Sequence, residues 1–98
     1  MTLTELRYIV ALARERHFGH AAEKCHVSQP TLSVAVKKVE QRHGVVLFER
    51  SSADVRLTMM GEQIARQAER VLEEAARLKE VVAQGNDPLL GPLRLGVS

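Results

Sequence analysis

The 98-residue chain has little of several things: one cysteine, three prolines, no tryptophan, and only 3% aromatic residues. A single cysteine, Cys25, excludes an internal disulfide, and nothing points to an oxidising compartment. With so few aromatics, the core must be built from Leu, Val, Ile and Ala. No apolar run approaches the ~20 residues of a membrane span. The opening MTLTELRYIV is too short and too charged for a signal peptide, so a cytoplasmic location with no membrane attachment is expected. No carboxylate pair, nucleophile–base set or phosphate loop stands out, and so small a chain encloses little pocket, which argues against an enzyme.

What is present describes one small globular domain. Hydrophobic residues make up 45% and charged residues 27%. A core of that size is marginal, and a partner subunit would help it. The net charge is only +2, but it is unevenly spread. Residues 1–57 hold nine Lys/Arg against six Asp/Glu and all four His, while residues 58–98 hold five against six. The basic excess in the first part is the direction expected of a nucleic-acid surface.

Thr2 and Glu5 are spaced as a capping box, and Leu3, Leu6, Val10 and Ala13 follow at helical spacing, predicting a helix over 3–15. Phe18, Ala21, Ala22 and Cys25 share one face of a short second helix that stops near His26, where His tolerates positive φ better than most residues. Ser28 is a good N-cap for a third helix, with Pro30 in its first turn and Leu32, Ala35, Val36 and Val39 as its inward stripe. Gly44 can end that helix in the left-handed conformation. The runs 45–50 and 55–57, around Ser51-Ser52-Ala53-Asp54, predict a two-stranded hairpin. Thr58 can cap a long helix to about Gln84. Ile64, Ala68, Val71, Ala75, Leu78 and Val82, with Leu72 beside them, form a heptad seam. At ~1.5 Å per residue such a helix spans about 40 Å, more than a three-helix domain covers, so a second chain is expected on the seam. Gly85-Asn86-Asp87-Pro88 breaks the pattern, and Leu93–Val97 reads as the first strand of a further, truncated domain. Three regions result: a winged helix-turn-helix over 1–57, a dimerisation helix over 58–85, and a hinge with the first strand of a further, truncated domain over 86–98. The fold class is mainly α, three helices and a two-stranded wing followed by the long linker helix.

Two helices joined by a tight turn, the second opening on small polar residues, make a helix-turn-helix. The first turn of such a second helix reaches into the major groove. Gln29 can pair bidentately with adenine, Ser28, Thr31 and Ser33 can serve base edges or phosphate, and Pro30 or Val34 can touch a thymine methyl. Lys37 and Lys38 lie one to two turns on, suited to backbone phosphates. Free N–H groups at the start of the second helix, near Gly19-His20, can hold a phosphate, and His20 is a further phosphate candidate. Arg50 and Arg56 flank the wing tip, where Ser52 sits, and a wing arginine follows the backbone or enters the minor groove.

The run Phe18-Gly19-His20-Ala21-Ala22 through Val27-Ser28-Gln29-Pro30-Thr31-Leu32-Ser33 is joined by Val39-Glu40, Gly44-Val45, Leu47-Phe48-Glu49-Arg50 and Leu57-Thr58 with Gly61. This set resembles the N-terminal module of LysR-type transcriptional regulators, and within that family RHFGHAAEKCHVSQPTLS is most similar to the OxyR-like, hydrogen-peroxide-sensing branch. The resemblance implies a winged helix-turn-helix that binds an interrupted inverted repeat of double-stranded DNA, and it makes the truncated domain begun over 86–98 an effector-binding domain. It also implies a homodimer through the linker helix, a tetramer in the full-length protein, RNA polymerase as a partner there, and an oxidative-stress response. Base and backbone contacts would fall on Gln29, Pro30, Thr31, Ser33, Val34 and Lys37, with Arg50 near the wing. Two positions depart from the pattern. Many members carry Arg where this chain has Val34, which removes a guanine contact, and the wing tip is less basic than usual.

Other readings compete. A regulator of another branch, answering a small-molecule effector, shares most of these residues. A winged module that only assembles proteins would show a more apolar start to the third helix. Cys25 lies in phase with an apolar face, as a buried structural thiol does. His17, His20, His26 and Cys25 match no familiar zinc spacing, so neither metal nor cofactor is expected.

Overall fold

A computed structural model describes residues 1–51 and 54–85. The order is α1 (Leu3–Glu15), α2 (Phe18–Lys24), α3 (Gln29–His43), β1 (Phe48–Ser51), β2 (Asp54–Leu57) and α4 (Met59–Gly85). The chain is mainly helical, with a two-stranded antiparallel wing between α3 and α4.

Local chemistry fixes each boundary. The Glu5 N–H donates to Thr2 Oγ1 at 3.1 Å, and the Thr2 N–H to Glu5 Oε1 at 3.0 Å, a closed capping box. The α2 helix starts under His17, whose Nδ1 accepts the His20 N–H at 3.1 Å. It ends on His26, at φ 57°, with the His26 N–H donating to the Glu23 carbonyl and the Val27 N–H to the Ala22 carbonyl. That pair of bonds is the Schellman arrangement, which turns the chain sharply toward α3. Ser28 caps α3 by accepting the Thr31 N–H at 3.3 Å, and Gly44, at φ 63°, ends it.

The core gathers Ile9, Leu12, Ala21, Leu32, Val36 and Leu47, each nearly or wholly sealed from solvent. A second cluster joins Leu6 and Val10 of α1 to Ala68 of α4, with Leu72 alongside. The α1 helix is thus covered on two sides. The stripe expected from sequence, Leu3 to Ala13, caught only one of them: Ile9 and Leu12 are fully buried against α2 and α3, while Leu3 is exposed. Burying a Leu or Ile of this kind stabilises by about 1.5–3 kcal/mol.

The wing is shorter than the 45–50 run suggested. Residues 45–47 connect instead of pairing, because the Val45 N–H donates to the Glu40 carbonyl and the Val46 carbonyl takes the Thr58 hydroxyl at 2.6 Å. The Glu40 carboxylate accepts the Leu47 and Phe48 N–H groups at 2.8 and 3.1 Å, anchoring the wing root to α3. Phe48 pairs with Leu57 and Arg50 with Val55, so one wing face lies on the core, while Glu49 and Arg56 oppose each other on the outer face. Thr58 Oγ1 also accepts the Gly61 N–H at 2.9 Å, which starts α4. At Gly61 a Cβ would stand 2.0 Å from the Leu47 carbonyl oxygen, so α4 leaves the wing root at a separation that only glycine permits.

Candidate nucleic-acid interface

The helix-turn-helix is held from behind and bare in front. Leu32, Val36 and Val39 are sealed in the core, and the opposite side of α3 faces solvent. Ser28, Gln29, Pro30, Thr31, Lys37 and Lys38 are exposed, as is Val34 at 54%. Ser33 is half-buried. Residues 29, 33 and 37 recur every four positions along one edge of α3, and 30 and 34 along the next.

The first turn is stiffened by its own hydroxyls. Ser28 Oγ and Thr31 Oγ1 lie 2.8 Å apart, in addition to the capping bond. Whichever hydroxyl donates across this gap, the other keeps a proton to offer outward. Gln29 and Pro30 therefore start from a fixed backbone. Neither Lys37 nor Lys38 enters an ion pair among the described residues, which leaves both ammonium groups for an outside anion. Glu5 shares a surface groove with Pro30, Thr31, Val34 and Lys38. Its charge is held locally, since Arg42 pairs with it at 3.3 Å. The Thr2 N–H, and then Arg42, keep the Glu5 carboxyl below the usual glutamate range.

Around the turn, His20 is exposed, and its ring stacks on His17 with centroids 4.1 Å apart. Its backbone N–H is already taken by His17, so the free-amide phosphate site expected near Gly19 and His20 loses that donor. Arg50 lies over the Phe18 ring, its guanidinium carbon 4.7 Å from the centroid, a cation–π contact that fastens the wing to α2. Arg56 is on the exposed outer face of the wing. Ser52 lies outside the described residues, as do the break after Gly85 and the strand expected at Leu93–Val97. Sequence reasoning missed His17 as a cap and Arg50 as a stacking partner; the spacing of His17 from His20 is the signal for the first.

Cys25, expected as a buried structural thiol, is half-buried against the core, and its S–H points to the Arg7 carbonyl 3.9 Å away. Desolvation pushes its pKa up, opposed by Arg7. No group of three or more His, Cys, Asp or Glu suited to a metal ion comes together among the described residues.

The expected seam of α4 divides. Ile64 packs on the main core, Ala68 is buried against Leu6 and Val10, and Leu72 is partly covered there. Ala75 is half-buried, and Val71, Leu78 and Val82 are 44%, 64% and 56% exposed. The proximal half thus serves its own domain, because α1 lies against it. Arg14 and Glu69 pair across the same contact. No described helix is long and apolar enough to cross a membrane.

Residues 3–62 match the model of the bacterial regulatory helix-turn-helix proteins of the lysR family. The chain is 46% identical over 97 residues to the DNA-binding transcriptional dual regulator OxyR of Escherichia coli K12, covering 99% of this chain and 32% of that protein. It therefore spans about a third of the length of the curated relatives it matches. Full-length OxyR C199D from Pseudomonas aeruginosa superposes with a TM-score of 0.85 at 62% identity, over 89% of this chain and 30% of that one. The CbnR DNA-binding domain, solved in complex with DNA, superposes with a TM-score of 0.82 at 33% identity, over 89% of this chain and all of that one. By its helix-turn-helix, its wing and this match across residues 3–62, the chain belongs to the lysR family of bacterial regulatory helix-turn-helix proteins.

Proposed function

We propose that this chain is the DNA-binding region of an OxyR-like transcriptional regulator, and that it reads double-stranded DNA by placing the first turn of α3 in the major groove. The single observation that carries this is the state of that turn. Gln29, Pro30, Thr31 and Val34 are exposed on a helix whose other side is locked into the core, and whose cap is closed by Ser28. A rigid, exposed and polar first turn is what base-edge recognition requires. In this arrangement Gln29 reads adenine, Pro30 and Val34 contact apolar base edges, and Thr31 and Ser33 serve bases or phosphate. Lys37, Lys38 and Arg56 neutralise backbone phosphates, and His20 lies close by. Arg50 fixes the wing first and meets DNA from there.

Regions 1–57 and 58–85 act as reader and coupler, and 86–98 lead into an effector-binding domain. The distal seam of α4, with Leu78, Val81 and Val82 bare, pairs two chains so that two readers meet an interrupted inverted repeat. Four chains in the full-length protein, contact with RNA polymerase, a cytoplasmic location and control by peroxide complete the proposal. Support for the peroxide branch comes from the OxyR relatives.

Gel shift and footprinting on DNA upstream of the chain's own coding region test this. We expect a protected, two-fold symmetric site, bound more tightly than scrambled duplex, with affinity falling steeply as salt rises. Equal affinity for both duplexes, or binding indifferent to salt, would rule it out.

A further inference from the structure

We propose that Gly19 and the His17 imidazole form a seat that aims the Gln29 side chain, and so set how sharply Gln29 discriminates its base. Nothing about the Gly19 backbone demands glycine. It lies inside α2, outside the left-handed positions among the described residues, which are Arg16, His26 and Gly44. Alanine is the better helix former there. What glycine supplies is room. A Cβ at residue 19 would stand 3.0 Å from His17 Cε1 and 3.3 Å from His17 Nδ1, and 3.7 Å from Gln29 Oε1. The imidazole of one residue and the amide of the other thus converge on the space that the missing side chain vacates.

The His17 ring is itself fixed from two directions. Its Nδ1 accepts the His20 N–H, and its face stacks on the His20 ring. The hydrogen bond orients Nδ1 toward the helix start and the stack sets the plane of the ring. Gln29, whose Oε1 lies 3.7 Å from the same vacated position, extends from a backbone already fixed by the Ser28 cap. A long amide side chain on a bare surface samples several rotamers and loses that freedom on binding. A fixed ring bordering the space that the amide enters limits the choice before DNA arrives. His17 and Gly19 are positioning residues here: they act on Gln29 and need not touch DNA.

This inference rests on Gln29 reading a base. The 98-residue chain is first used to select duplexes from a randomised double-stranded pool. The selected duplex is then compared with versions altered at each base pair, for the unaltered chain and for Gly19→Ala, His17→Asn and Gln29→Ala. Asn keeps an N-cap acceptor while removing the ring. Gly19→Ala should displace the His17 ring, lowering the melting temperature modestly through the disturbed cap, and lose about five- to tenfold of its discrimination at the one base pair that Gln29→Ala relaxes. His17→Asn should lose discrimination at that same pair. Neither change should lower it further in a Gln29→Ala background. Unchanged discrimination in both variants, or losses that add to that of Gln29→Ala, would overturn the seat while leaving the DNA reading intact. Failure of the unaltered chain to select any duplex would remove both.

Discussion

At the scale of single residues, three positions hold the reader to its supports. Gly61 is the least replaceable. Alanine there meets the Leu47 backbone oxygen, which has no flexible end to swing aside. Gly61→Ala should therefore cost about 3 kcal/mol, at the upper end of the usual overpacking range, as read by denaturant unfolding. Glu40 is next, since its carboxylate serves two backbone donors at the wing root. Glu5 carries a pH signature. Its carboxyl is held below the ordinary range by the Thr2 N–H and by Arg42, so the charged form is favoured in the folded chain. Its contribution is present above the unfolded glutamate pKa of about 4.3 and is lost as pH falls through the lower folded value. The melting-temperature advantage of the unaltered chain over Glu5→Ala should shrink on acidification through that window. An advantage that grew would reverse the sign.

At the scale of elements, α3 separates two roles by position along one helix. Lys37 lies two turns past the cap and has no ion-pair partner among the described residues. Lys37→Ala should weaken binding to every duplex alike and flatten the plot of log affinity against log salt by about 0.9, the slope of one phosphate. A change confined to one base pair would make Lys37 a reader. Much of this organisation was legible in sequence because it is local. The Thr2–Glu5 box, the Ser28 cap, the Gly44 terminus and the long helix beginning after Thr58 all sit within four residues of the feature that signals them. What sequence did not show depends on contacts between elements. Ile9 and Leu12 are buried because α1 is covered on a second side. Residues 45–47 leave the strand because Glu40 and Thr58 take their backbone groups. Arg50 turns onto Phe18 because its register places it on the inner face of the wing. Periodicity marks which residues prefer burial, but not which neighbour provides it.

At the scale of the whole molecule, α4 changes duty along its length. Its first turns complete the domain through Ala65 and Ala68, and its last turns expose Leu78, Val81 and Val82 at 56–64%. We expect these to join two chains. Leu78→Glu should raise the dimer dissociation constant at least tenfold, about 1.4 kcal/mol, in sedimentation equilibrium, with the melting of the winged domain little changed. A monomer before and after the change would place dimerisation elsewhere. The claim under all of this is that the first turn of α3 touches base edges. Selection from a randomised duplex pool, run in parallel for the unaltered chain and Gln29→Ala, tests it most directly. The expected result is a two-fold symmetric site that, in the variant, relaxes at one base pair per half-site with a loss of about 1–3 kcal/mol there. Identical selected sites from both proteins, or no enrichment from either, would contradict it.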